Sequence, residues 1–220
     1  MRKTLSTLAL LVLMAVPPCA VGDEPDEAVV VTSEGLQLMP GSEDIEQVWM
    51  KPGVDLSKYR SVYLVEPSVV FKKNWLRDQN RGHPSMRVRP SDMEDIAADI
   101  KALFTKVLTE ELLAAGYTFS EVRDHDVLII KPAILKLDVN APDVQVPNVT
   151  DVLTSTAGSM TLYMELYDSV SEELLVKVVD PTADPEAGIG HWQRKVANRA
   201  AFERMMKPWA KALVNGFGTF

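Results

Sequence analysis

Cysteine is almost missing from this chain: Cys19 is the one example in 220 residues, and it lies in the N-terminal leader. A disulfide framework is therefore excluded, and so is thiol catalysis by the body of the chain. Histidine is nearly as scarce. His83, His125 and His191 stand far apart in unrelated contexts, and no His-Glu-x-x-His zinc pattern occurs. Gly188-Ile189-Gly190 lacks the third glycine and the preceding strand that a dinucleotide fingerprint needs. There is no phosphate loop and no Gly-x-Ser-x-Gly elbow. Past the leader, no apolar run approaches the ~20 residues needed to span a bilayer. Positive charge is in deficit, with 23 Lys and Arg against 31 Asp and Glu and a formal net charge of −8. Such a balance disfavours non-specific binding of nucleic acid. Trp49, Trp75, Trp192 and Trp209 do not form a spaced stacking ladder for bases either. A chain that is not an enzyme and holds no cofactor or metal is the expectation.

What is present begins with an export signal. Arg2 and Lys3 precede the apolar run LALLVLMAV (8–16), and Ala20-Val21-Gly22 offers a small-x-small cleavage site before Asp23. Residues 1–22 read as a signal peptide, residues 23–45 as an acidic linker, and residues 46–220 as one domain. Cleavage after Gly22 leaves a periplasmic protein without cysteine. The alternative is that Cys19 is the lipid-carrying first residue of an outer-membrane lipoprotein. Pro17 and Pro18 stand before Cys19 where such sites carry a small residue, and proline there restricts the backbone.

The body is organised around residues 158–179, GSMTLYMELYDSVSEELLVKVV. Met160, Leu162, Met164 and Leu166 alternate with Thr161, Tyr163, Glu165 and Tyr167, the period-two signature of a strand with one buried face. The polar stretch 168–173 and the apolar run after it predict an antiparallel hairpin. Residues 60–71 and 127–139 read as further strands, interrupted by Pro67 and Pro132. Ser91 and Glu94 predict a capping box opening a helix whose apolar face runs from Met93 to Leu112, with Gly116 just past its end. A second helix uses Phe202, Met206, Trp209, Ala210, Leu213 and Phe217, with Pro208 expected to kink it. Residues 140–157 and 180–190 read as loops. The fold class that follows is α/β, with α+β as the alternative. It is a single domain with a mixed sheet of about four to five strands covered by two amphipathic helices.

Two clusters stand out as candidate sites. Residues 72–90 hold Lys72, Lys73, Arg77, Arg81, Arg87 and Arg89 against one acid, Asp78. This is the one locally basic stretch, and it is either ordinary solvated surface or an anion-facing patch, with Trp75 available beside it. Asp124-His125-Asp126 is the most site-like set of titratable groups, a candidate acid–base or metal cluster. It also stands where a loop enters a strand, and aspartate commonly turns the chain there.

The stretch VWMKPGVDLSKY (48–59), followed by an apolar strand with Glu66-Pro67, resembles the opening motif of the domain of unknown function 3313 family. Members are uncharacterised lipoprotein-like proteins of Gram-negative bacteria. Asp126-Val127-Leu128, the hairpin 158–179 with its Asp-Ser-x-x-x-Glu turn, and Ala201-Phe202 with Trp209-Ala210-Lys211 follow in the same order. The resemblance implies an envelope protein of α/β fold, and brings no known activity or site residues. Two functions are weighed. One is a non-catalytic accessory or binding module whose partner is an envelope protein, lipid or cell-wall component. The other is a periplasmic hydrolase or metal-dependent enzyme using Asp124, His125 and Asp126.

Overall fold

The computed structural model describes residues 31–40, 45–81, 87–139, 152–154, 158–183, 191–193 and 195–217. In chain order the elements are β1 (Gln37–Leu38), β2 (Gln47–Met50), β3 (Ser61–Leu64), β4 (Ser68–Phe71), α1 (Trp75–Gln79) and α2 (Pro90–Ala114). They continue with β5 (Thr118–Phe119), β6 (Val127–Val139), β7 (Val152–Thr154), β8 (Gly158–Asp168), β9 (Leu174–Ala183), β10 (His191–Gln193) and α3 (Lys195–Phe217). One mixed eight-stranded sheet runs β1-β2-β9-β8-β6-β3-β5, with β4 also paired to β6. The pairs β3–β5, β3–β6 and β4–β6 are parallel, and the rest of that sheet is antiparallel. Among the described residues no helix is long and apolar enough to cross a membrane.

The β8–β9 hairpin forms as its alternation dictates. Met160, Leu162, Met164 and Leu166 are buried, while Tyr163, Glu165 and Tyr167 on the other face remain partly exposed. Opposite Leu166 and Tyr167 of β8, β9 carries one extra residue, Leu175, between Leu174 and Val176, so that Leu175 and Val176 are both buried in succession. That extra residue makes a bulge, which places two neighbouring side chains where the pleat would bury one. The prolines of the central strands mark a single break. Residues 60–71 form two strands rather than one, β3 along Val127–Ile130 and β4 along Ala133–Leu137, with buried Pro67 between them. The Ile130 carbonyl accepts the Val65 N–H at 2.9 Å. Strand geometry therefore aims residue 132 toward the same neighbour, at the step from β3 to β4. Pro132 withholds an N–H where the ladder is already interrupted.

Helices α2 and α3 cover one face of the sheet. Ile100, Leu103, Phe104, Val107, Leu108 and Leu112 on α2 join Phe202, Met205, Met206, Trp209, Leu213 and Phe217 on α3 in one apolar core. The Phe104 and Trp209 rings lie 5.7 Å apart, and Tyr117 meets Phe217 edge-on at the same distance. The start of α2 differs from the sequence expectation. Pro90 is its first residue, and the Asp92 carboxylate, not that of Glu94, reaches back to the Arg89 N–H at 2.6 Å. Proline suits that position because its missing N–H would have no helical partner. The end follows the pattern: Gly116, at φ +89°, lets Tyr117 N–H reach the Leu112 carbonyl and its own N–H reach Leu113, both at 3.0 Å. This pair of bonds is the Schellman arrangement, which needs a left-handed residue.

Among the described residues the sheet has eight strands, more than the four to five expected, and the short α1 adds a third helix to the two expected covering ones. The excess comes from pieces too short for a periodic signal: β1 and β5 have two residues each, and α1 has five. Inside the stretch read as linker, residues 31–40 join the sheet edge, with Leu36 fully buried and β1 paired to β2. Two stretches read as loops carry strand. β9 extends to Ala183, and β7 pairs with β10 as a separate ribbon. Residues 1–22 with Cys19, residues 23–30 and 41–44, and His83 lie outside the described residues.

Candidate functional site

The Asp124-His125-Asp126 cluster lies at one end of the sheet, where the chain turns into β6. Its backbone does most of the bonding. The Asp124 carbonyl accepts from Ser169 Oγ at 2.7 Å and from Val127 N–H at 3.1 Å, and the Asp126 carbonyl accepts the N–H groups of Arg60 and Ser61. The Asp124 carboxylate takes the N–H of its own neighbour, His125, at 2.7 Å. Asp124 and His125 are exposed, Asp126 is half-buried, and no metal-holding group of side chains occurs among the described residues. Ser169, fully buried, ties this turn to the β8–β9 loop.

The centre of that loop is Asp168. One carboxylate oxygen accepts the N–H of Val170 and Ser171 and the Ser171 hydroxyl at 2.9–3.1 Å; the other accepts Tyr59 Oη at 2.8 Å and Lys58 Nζ at 3.3 Å. Burial opposes its ionisation, but the Ser171 N–H, Tyr59 hydroxyl and Val170 N–H outweigh it and hold the carboxyl well below the usual range. Ion pairs Lys51–Glu173 and Arg123–Glu172 flank the turn. An Asp opening a turn with Ser three residues on is a readable local signal. Its tie to Tyr59 is not, because nothing local announces a partner 109 residues away.

The basic stretch is built differently. Buried Trp75 anchors α1 against the Phe71 ring, with centroids 4.7 Å apart. The Asn80 side chain clamps Val88 from both sides, accepting its N–H at 2.8 Å and donating to its carbonyl at 3.0 Å. Around these two pins Lys72, Lys73, Arg77, Arg81, Arg87 and Arg89 are all exposed. Lys72 pairs with Asp138 at 2.6 Å and Arg77 with the adjacent Asp78 at 3.1 Å. Lys73, Arg81 and Arg87 have no ion-pair partner among the described residues. Trp75, expected to be available to a ligand, is instead consumed in packing.

Two further features escaped the sequence reading. On the sheet face away from the helices, Tyr163 and Tyr167 donate to the two oxygens of Glu165 at 2.5 and 2.7 Å, and Lys131 Nζ lies 4.0 Å from the Tyr167 ring centroid. The Tyr-x-Glu-x-Tyr alternation carries this signal, since side chains two apart share a face. Burial, then the bond to Glu165, pushes the Tyr167 hydroxyl up to about 12 and raises Tyr163 as well. A shallow groove of about 520 Å³ lies along α2, lined by Glu66, Glu94, Ala97, Ala98, Lys101, Ala102 and Thr105.

A family model described as a protein of unknown function, DUF3313, matches residues 31–213. The chain belongs to the DUF3313 family. Among curated proteins nothing matches. Solved structures give distant likenesses. A Xanthomonas campestris protein of the DUF330 family shares 11% identity over 77% of this chain and 91% of its own, with a TM-score of 0.41. The PelC dodecamer of Paraburkholderia phytofirmans shares 10% over 73% and 95%, with a TM-score of 0.34. A minor lipoprotein of Acinetobacter baumannii shares 11% over 72% and 94%, with a TM-score of 0.35. The stretches by which the chain resembles DUF3313 meet in space. Tyr59, Lys58 and Lys51 come from the opening motif, Asp168 and Glu173 from the hairpin turn, and Asp126 from the start of β6. Ala201, Phe202, Trp209 and Ala210 are the buried face of α3. The DUF3313 match also takes in residues 31–47, in keeping with the place of β1 and β2 in the sheet.

Proposed function

We propose that this DUF3313 protein is a non-catalytic accessory or binding module of the bacterial cell envelope. It works in the periplasm, or at the outer membrane if Cys19 carries lipid. The leader pattern and the family support the compartment. The observation that carries the non-catalytic part is how the most reactive-looking residues are used. Asp124 and Asp126 hold a turn mainly through backbone carbonyls, and His125 takes part in it through its backbone N–H. Acid–base catalysis needs such side chains convergent and within hydrogen-bond reach of one another.

The test has two arms. Fractionation of cells followed by mass measurement of the mature N-terminus decides between Asp23 and a lipid-modified Cys19. Affinity isolation of the tagged protein from membranes should return a reproducible envelope component, and Asp124→Asn with His125→Ala should leave that capture unchanged. Loss of a hydrolytic activity in the double variant would replace this reading with the enzyme.

A further inference from the structure

We infer that the exposed face around α1 docks on an anionic phospholipid surface, gripping head-group phosphates through Lys73, Arg81 and Arg87. This rests on the envelope reading, since it presumes a membrane within reach. Within a chain of net charge −8, residues 72–90 carry six basic side chains and one acid. The segregation is therefore real and outward-facing: every one of the six is exposed. Lys72 and Arg77 already have carboxylate partners, whereas Lys73, Arg81 and Arg87 have none among the described residues. Unspent cations at a surface are what an anionic plane attracts.

Three observations choose the occupant. First, the charges come from three separate segments: the end of β4, the end of α1, and the approach to α2. The Asn80–Val88 clamp holds the second and third of these segments side by side, so one exposed face presents several cations at once, as a plane of phosphates requires. Second, four of the six are arginine, whose planar fork matches phosphate oxygens two at a time. Third, the aromatic ring within the stretch is not offered to a ligand. Among the described residues Trp75 and Val88 are buried and Leu76 is packed against the core, while Val70 on β4 is exposed beside them, so the contact is led by charge and hydrogen bonds. The backbone under it is pinned by Trp75 and by the Asn80–Val88 clamp, so little ordering is lost on contact.

The experiment measures partition of the purified protein onto phosphatidylglycerol-containing vesicles and onto neutral phosphatidylcholine vesicles, at low and at high salt. A triple variant, Lys73→Ser, Arg81→Ser and Arg87→Ser, is compared with a charge-matched control, Lys106→Ser, Lys207→Ser and Lys211→Ser. Binding should favour the anionic vesicles and fall with salt. It should drop about fivefold per removed cation in the first variant, from the ~1 kcal/mol each contributes at such a surface, and barely change in the control. Equal loss in both variants would mean net charge rather than this face, and overturns the proposal. So does binding to soluble polyphosphate that vesicles fail to compete for, which would assign the face to an acidic polymer. If vesicle binding fails while the protein still fractionates with the envelope, the lipid proposal falls alone. If the protein is found in the cytoplasm, the envelope reading falls with it.

Discussion

The hydroxyl of Tyr59 donates a 2.8 Å hydrogen bond to the carboxylate of Asp168, across 109 residues of chain. Tyr59 is buried to 2% exposure at the end of the family's opening motif, and Asp168 begins the β8–β9 turn. The bond therefore closes the sheet end around which the resemblance stretches gather. Tyr59→Phe should cost about 1.5–3 kcal/mol, the range for a hydrogen bond to a charged group. Asp168→Asn should cost at least as much, because it weakens the bonds from Val170 and Ser171 as well. In a double-mutant cycle read by denaturant melts, the two should be non-additive. Simple additivity would mean that the pair does not act together.

Asp168 also sets an acid limit. Its folded carboxyl is held well below the usual range, mainly by the N–H and hydroxyl donors that outweigh its burial. A depressed carboxylate contributes stability that is fully present above its unfolded value, about 3.9, and is lost as pH falls through the folded value. The stability gap between the wild type and Asp168→Asn should therefore be widest near neutrality and shrink below about pH 4. A gap that stays constant from pH 7 to pH 2 would assign the loss to packing.

The opposite limit is shared by Tyr163 and Tyr167 with Tyr59 and Tyr117, whose hydroxyls are also raised, mainly by burial. The hydroxyls of Tyr163 and Tyr167 are raised, Tyr167 to about 12, by burial and by Glu165. Their contribution is complete below the unfolded value of about 10 and fades as pH rises through the folded one. Wild-type protein should lose stability between about pH 10 and 12, and Tyr163→Phe with Tyr167→Phe should remove part of that slope, the share of Tyr59 and Tyr117 remaining. Tyrosinate absorbance provides the check: early titration of Tyr163 and Tyr167 would sink the account.

How much of this was legible follows from range. The β8 alternation, the α2 face and the Gly116 stop are local patterns, and each formed where the residues said. Pro67 announced a bulge or an exposed side, and the run through Pro132 a strand that continues past it; neither showed that Pro132 on the unbroken β6 stands opposite the step from β3 to β4. The two-residue strands and α1 have too few side chains to show a period. At the candidate site, the basic composition was plain, whereas the burial of Trp75 depends on Phe71 and the folded core. The Asp168–Tyr59 contact is of the same kind. Sequence patterns report the face a residue joins; they do not report the distant partner waiting there.

Core and surface on α2 give a direct check of the helix face. Leu103 is 2% exposed within the core, while Lys106 is exposed and pairs with Glu110 at 3.6 Å. Leu103→Ala should cost about 2–5 kcal/mol through lost contacts and a cavity. Lys106→Ala should stay within about 0.5 kcal/mol, the worth of an exposed i, i+4 pair. Equal, small losses for the two would mean the face is misassigned.

The clamp beneath the basic face can be released without touching a charge. Asn80 satisfies both backbone groups of Val88, whose side chain is buried at 6% exposure. Asn80→Ala leaves a half-buried N–H and carbonyl without protein partners, a loss of about 1–3 kcal/mol if water does not replace them. The opening should be local, because the clamp joins residues only eight apart. Hydrogen exchange at the Val88 amide should accelerate strongly, while exchange in β8 and α2 changes little. Vesicle binding should weaken less than in the Lys73, Arg81 and Arg87 variant, since all six cations remain and only their placement loosens. Were Asn80→Ala to abolish binding as fully as the triple variant, the geometry of the face would govern binding more than its charge does. Were exchange at Val88 unchanged, the pin would lie in Trp75 and Phe71 alone.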